Sequence, residues 1–265
     1  MSRRISGPAG KLAVDDGGTG DPVVLVHSMA GNTGHWSAQL EHLRKSRRAV
    51  ALDLRGHGRS DPPATGDYAI EAQAADIGAA VDALGLGQFA LVGHSMGAGV
   101  ALAYAGANPA RVTHLLLADP IGDGTQTPEA EVRPFLDALD SPAYVETIEG
   151  YWSSIAGSDG AVLERLLRDL RDTPRESVVR GLHAVMAFDP NPALTRFRGP
   201  TLAVVTPAND YPYSMHRLGA GLPHRVIAGT GHWLQIERPA EFNGILDRFL
   251  AAGGGRTARV AIGKT

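Results

Sequence analysis

Gly93-His94-Ser95-Met96-Gly97 sets a serine between two glycines, where the apolar run Phe89-Ala90-Leu91-Val92 gives way to small helix formers at 100–105. A serine hydroxyl is a poor nucleophile until a base takes its proton. Such chemistry also needs a group that orients the base and donors that meet the negative oxygen of the intermediate. A serine capping a helix after a glycine turn would carry the same letters. The flanking strand and helix favour the nucleophile, because a turn of this kind lifts the hydroxyl above the sheet edge. Side chains at Gly93 or Gly97 would crowd the neighbouring backbone of so sharp a turn. The helix behind Ser95 aims free N–H groups and its positive end at any charge formed there.

The base expected is His232. Of 10 histidines it has the clearest position, in Gly229-Thr230-Gly231-His232-Trp233, after the last apolar run and before the closing helix. His94, beside the nucleophile, should point into the fold, and His27 should anchor its own loop. His35, His57, His183 and His216 have no comparable position. Two carboxylates compete to orient the base. Asp210 follows the run at 201–205 and lies between Ser95 and His232 in the chain, and it is the expected partner. Asp119 follows the run at 112–117, where it could equally cap the turn before Pro120. The oxyanion donors expected are the backbone N–H groups of Met96 and of Met29, in His27-Ser28-Met29-Ala30-Gly31. Their side chains are placed to line an acyl pocket or to fill gaps in the packing. Neither a cofactor nor a metal is expected, and no H-E-x-x-H spacing appears.

The elements that must position these groups alternate. Val23-Val24-Leu25-Val26-His27 is a β-branched run typical of a doubly covered strand. Further strands are expected at Lys11 to Asp15, Arg48 to Leu54, Phe89 to Val92, Val112 to Leu117, Thr201 to Val205 and Pro223 to Ala228. Helices are expected at 33–44, from Ile70 to Leu84, behind Ser95, and at Pro239 to Leu250. Alternation of this kind gives an α/β fold, a mostly parallel sheet with helices on both faces. Ligands bind such sheets at the carboxyl ends of the strands, where His27, Asp53, Ser95 and Asp119 all fall.

Residues 121–197 break the alternation. They hold helical stretches at 128–139, 161–170 and 174–188 but no strand, and are expected to form an inserted helical cap. Residues 1–120 and 198–250 would make the core and 251–265 a C-terminal tail. Tyr144, Tyr151, Trp152, Phe188, Tyr211 and Tyr213 either wall a pocket or pack the cap on the core.

The chain has 265 residues, 43% of them hydrophobic, enough for one large domain. A net charge of −3 favours neither nucleic acid nor an anionic membrane. The absence of cysteine excludes disulfides and thiolate metal sites. No secretory signal or membrane-length apolar run is evident, so a soluble cytoplasmic protein acting on a small molecule is expected. Oligomeric state is not legible.

The chain resembles the α/β-hydrolase fold family over roughly residues 10–250. The motifs carrying the resemblance are G-H-S-M-G at 93–97, D-L-R-G-H-G-R-S at 53–60, the histidine loop at 27–31, Asp210, and G-H-W with a downstream E-R-P at 231–239. Within the family it is similar to small capped esterases, lactonases and perhydrolases. One departure is Ser28, where many members have glycine. The resemblance implies a serine hydrolase acting on a small carboxylic ester, lactone or thioester. C–C bond hydrolysis and perhydrolysis would use the same triad. A ligand sensor that keeps the triad and signals through its cap is the alternative from another class. Epoxide hydrolases and haloalkane dehalogenases use a carboxylate nucleophile, so serine at position 95 speaks against them.

Overall fold

The computed structural model describes residues 2–252. Its centre is an eight-stranded sheet in the order β1-β2-β4-β3-β5-β6-β7-β8. The strands are β1 (Ser2–Gly7), β2 (Gly10–Gly17), β3 (Pro22–Val26), β4 (Arg48–Leu52), β5 (Phe89–His94), β6 (Val112–Ala118), β7 (Thr201–Val205) and β8 (His224–Val226). β1, β2 and β4 pair antiparallel, and from β4 onward every pairing is parallel. This is the α/β architecture implied by the alternation of elements.

A strand alternates its side chains between faces, so a strand covered on both must be apolar throughout. In β3, Val24 and Val26 enter one core while Val23 and Leu25 enter the other. The second core is closed by α1 (Ser37–Leu43) and α10 (Pro239–Ala252), through Leu40, Leu43, Phe242 and Leu246. The first is closed by α2 (Ile70–Ala83) and α3 (Met96–Ala107). Between β6 and β7 the chain runs through α4 (Glu129–Asp140), α5 (Tyr144–Ile155), α6 (Gly160–Asp172), α7 (Arg175–Ala187) and α8 (Asn191–Arg196). A short α9 (Leu234–Glu237) precedes α10.

Three elements differ from expectation. The first 22 residues contain a full hairpin, β1 with β2, rather than one short strand. β1 has no fully buried side chain, so its sequence lacks the apolar alternation that marks a strand. Helix α5 has no counterpart among the expected helices, although Tyr144, Ile148, Trp152 and Ile155 recur at helical spacing; Gly150 and two serines dilute the pattern. The helix expected at 33–44 begins as a 3-10 turn at Thr33–Trp36. The expected tail is helical at residues 251 and 252, and beyond them lies outside the described residues.

Candidate active site

Ser95 sits between β5 and α3 with φ 54° and ψ −119°, a backbone conformation few non-glycine residues adopt. Its turn is tight on both sides. A Cβ at Gly93 would lie 2.2 Å from the Gly97 carbonyl oxygen, and one at Gly97 would lie 2.2 Å from that of His27. Glycine is therefore required at both positions by close approach. The Ser95 hydroxyl has no hydrogen-bond partner among the described residues.

His232 is held at three points. Its N–H donates to the Ile155 carbonyl at the end of α5, at 2.8 Å. Its carbonyl accepts from His94 Nε2 at 2.8 Å. Its ring Nδ1 donates to Asp119 Oδ2 at 2.7 Å, which leaves Nε2 on the free edge of the ring. The preceding Gly231 N–H donates to both carboxylate oxygens of Glu237, so the glutamate of the E-R-P motif braces the histidine loop.

The acid is the point where the structure corrects the sequence reading. Asp119, not Asp210, meets the His232 ring. Asp119 is 2% exposed and is itself fixed at Oδ1 by the Thr206 N–H at 2.7 Å and the Thr206 hydroxyl at 3.0 Å. Asp119 is the first residue beyond β6, the strand beside β5, so its carboxylate emerges on the same side of the sheet edge as Ser95. The first residue beyond β7 is Thr206, which serves Asp119 as a donor. Asp210 lies further along that loop, beyond a 3-10 turn, and its half-exposed carboxylate is taken by Arg217 and faces His216. The Arg217 guanidinium holds that carboxyl below its usual range.

Met29 and Met96 are buried beside Ser95 and line the same small cavity. Their N–H groups donate to no acceptor among the described residues, which is unusual for buried amides. Met29 is positioned by a chain of contacts that starts in the sequence motifs. His27 Nδ1 donates to the Ser28 carbonyl at 2.7 Å, and His27 Nε2 accepts the Leu54 N–H at 3.0 Å. Asp53 accepts from the Thr33 N–H at 2.6 Å and the Arg59 N–H at 3.0 Å. Arg55 pairs with buried Asp76 in two contacts of 2.8 and 2.7 Å. The D-L-R-G-H-G-R-S segment is thus scaffolding that ties the end of β4 to the Met29 loop. His35, just past that loop, reaches Asp169 of α6 at 3.0 Å and links it to the helical insertion.

Burial sets the protonation of the surrounding histidines. His27 and His94 are fully enclosed and held well below the ordinary value, while burial lowers His57 to about 4. All three are neutral near pH 7. Neutral His94 must be protonated on Nε2 to donate to the His232 carbonyl, so its Nδ1 is the acceptor for the Gln235 amide at 3.2 Å. His94 points into the fold as expected, but it also braces the loop of His232. Only the strand register reveals that role.

Two cavities meet at Ser95 and His232. One of about 520 Å³ also touches Asp119, Thr230, Tyr151, Tyr211 and Tyr213. The other, of about 60 Å³, is walled by Met29, Met96, Trp152, Leu182, Val185 and Trp233. Of the remaining aromatics, Phe188 is buried in the core and Tyr144 lies under the Arg175 guanidinium at 4.8 Å. Neither cavity is lined by a lysine or arginine among the described residues.

A family model described as alpha/beta hydrolase fold matches residues 21–141. The solved structure of Est816, an N-acyl homoserine lactone degrading enzyme, superposes with a TM-score of 0.81 at 27% identity, over 93% of this chain and 100% of that one. The chain has the α/β-hydrolase fold, and its sequence is similar to that family over somewhat under half of its length. It is 28% identical to 2-hydroxymuconate semialdehyde hydrolase of Pseudomonas sp. strain CF600, over 95% of this chain and 94% of that protein. It is also 28% identical to the dihydrolipoyllysine-residue acetyltransferase component of the acetoin cleaving system of Cupriavidus necator, over 88% of this chain. It spans 64% of the length of that relative. No helix among the described residues is long and apolar enough to cross a membrane.

Proposed function

We propose that this protein is a serine hydrolase that cleaves a small, uncharged carboxylic ester or lactone through an acyl-enzyme on Ser95. The observation that carries the reading is the clamp of Asp119 on His232 Nδ1 beside a serine in a strained strand-to-helix turn. In this mechanism Ser95 Oγ attacks the carbonyl carbon and its proton passes to His232 Nε2. Asp119 stabilises the resulting imidazolium and fixes its tautomer. The oxyanion accepts from the N–H groups of Met29 and Met96, both otherwise unpartnered. The intermediate collapses, the C–O bond breaks, and His232 returns the proton to the departing oxygen. Water, deprotonated by His232, then releases the acid and restores Ser95.

The cavity linings favour an uncharged substrate. A free carboxylate would meet no lysine or arginine in either cavity, and in the large one it would sit near Asp119. This speaks against a substrate like the muconate semialdehyde of the Pseudomonas relative's name. A lactone, the substrate class of the Est816 description, and a simple ester both suit the lining. The helices between β6 and β7 serve in this reading as a cap over the site.

The test is Ser95→Ala with p-nitrophenyl acetate. Turnover should fall to background with unchanged circular dichroism, and a fluorophosphonate probe should label Ser95 alone in the wild type. Labelling elsewhere, or undiminished turnover in the variant, would overturn the mechanism.

A further inference from the structure

The two cavities at Ser95 differ nearly ninefold in volume, about 60 against about 520 Å³. They also differ in which parts of the machinery they touch. Met29 and Met96 wall only the small one. Asp119, Thr230 and Gly231 wall only the large one. When the carbonyl oxygen sits between the Met29 and Met96 amides, two substituents remain on the tetrahedral carbon. The leaving oxygen must stay beside His232, which returns its proton; His232 borders both cavities, but Asp119, Thr230 and Gly231 around it open only into the large one. The acyl substituent then has only the small one.

From this arrangement we infer that the small cavity is the acyl subsite and restricts the enzyme to esters of short acids, acetyl and propionyl, while the large cavity takes the leaving group. The inference rests on the acyl-enzyme reading of Ser95. A cavity of ~150 Å³ holds benzene, so one of about 60 Å³ holds roughly two to three carbon atoms. The walls do not yield easily. Trp152 is 3% exposed and Trp233 1%, and their rings lie 6.0 Å apart. Leu182 of α7 lines only the small cavity, while Val185, one turn further on, lines both. Packing extra methylenes into a filled core is unfavourable enough to cut the rate by roughly ten- to a hundredfold. The large cavity lies within the ~300–1,000 Å³ usual for a small-molecule site, so the alcohol portion is not limited in this way.

The experiment uses two ester series on the full chain. In the first the leaving group is p-nitrophenol and the acyl chain grows from acetate through propionate and butyrate to hexanoate and octanoate. In the second the acyl group is acetate and the alcohol grows from methanol to benzyl and naphthyl alcohols. We expect kcat/KM to fall about tenfold or more between propionate and hexanoate, and to hold or rise along the alcohol series. Leu182→Ala removes an isopropyl group from the wall and should raise the hexanoate-to-acetate ratio about tenfold. Leu182→Val, a smaller truncation, should raise it in the same direction and serves if Leu182→Ala does not fold. Octanoate hydrolysed as fast as acetate, an alcohol series that falls steeply with size, or a folded variant with an unshifted ratio would overturn the assignment. If Ser95 is labelled and acetate is turned over in those cases, only the subsite assignment fails. If Ser95 is not labelled and no ester is cleaved, the acyl-enzyme reading fails with it.

Discussion

Asp119→Asn separates the two carboxylates that the sequence left in competition, and the structure dictates how the new amide must lie. Thr206 presents its N–H at 2.7 Å and its hydroxyl at 3.0 Å to Oδ1. A backbone N–H only donates, so the amide oxygen must keep that place, and the amide NH₂ then faces His232 Nδ1. A donor there forces Nδ1 to accept, which puts the imidazole proton on Nε2, the atom that receives the Ser95 proton in the proposed mechanism. A serine–histidine–aspartate site loses ~10⁴-fold in kcat on such a change, or about 5 kcal/mol of transition-state stabilisation. The fold should hold, since the shape and the Thr206 hydrogen bonds survive. Asp210→Asn is the control. Its carboxylate is half exposed and paired with Arg217, so activity should stay within about threefold of wild type. The assay is steady-state hydrolysis of p-nitrophenyl acetate with matched circular dichroism. Asp119→Asn retaining more than a tenth of kcat, or Asp210→Asn falling as far, would refute the reasoning.

Two further outcomes follow from the same site. Stability should fall as the solution is acidified. His57 titrates near 6.5 when unfolded and about 4 when folded, so below 6.5 the unfolded chain binds the extra proton. Stability from this group is complete above 6.5 and lost as pH falls toward about 4, by about 2 kcal/mol at pH 5. His27 and His94 act in the same direction, while buried Asp53 and Asp76, whose carboxyls are raised, oppose it at lower pH. Urea midpoints at pH 7 and pH 5 measure the sum, and a folded His57→Gln variant whose pH dependence is as steep as wild type would refute the assignment. Ser28→Gly should leave kcat within about threefold, because the Ser28 hydroxyl makes only a 3.4 Å contact with the Met29 carbonyl and the oxyanion donors are backbone groups. A loss on the order of 10²-fold would show instead that the hydroxyl itself donates.

What could be read from the sequence was local. The strand before Ser95, the two glycines and the helix behind it are consecutive in the chain, and each demands its neighbour. The α/β architecture likewise follows from the alternation of apolar runs with helical spacing. His232 was legible because a glycine-bounded loop between the last strand and the closing helix has few places to go. The acid was not, because its choice depends on sheet order. Asp119 and Asp210 both follow apolar strands, and only the adjacency of β6 to β5 brings Asp119 to the site. The roles of His94 and Thr206 were hidden for the same reason, since each acts on a residue far away in sequence. The G-H-W and E-R-P letters did contain a trace of the Glu237 brace. A carboxylate six residues beyond a glycine N–H can fold back on it only if a short helix intervenes, and α9 does so.

Strain in the backbone falls at the same place. Among the described residues three non-glycine positions have positive φ: Ala30 at 52°, Ser95 at 54° and Asp119 at 36°. They lie in the loops leaving β3, β5 and β6, three adjacent strands, at the edge where the site is built. Residues held in such conformations are each unfavourable by ~1–3 kcal/mol and persist only where the surroundings over-determine them. Here the surroundings do so. The turn at Ala30 is closed by the Gly31 N–H on the Ser28 carbonyl at 3.0 Å, Ser95 N–H is tied to the Ala118 carbonyl at 2.9 Å, and Asp119 N–H to that of Val204 at 2.7 Å. The last two bonds cross from β5 to β6 and from β6 to β7, so the parallel ladder itself extends into the strained residues. Each strained turn redirects a group that a relaxed strand end would send elsewhere: the Met29 amide beside Ala30, the Ser95 hydroxyl and the Asp119 carboxylate. Relaxing one of them would stabilise that turn and move its group out of register with the other two. If Met29, Ser95 and Asp119 act together as proposed, the strain is retained because the three groups must converge from three neighbouring strands.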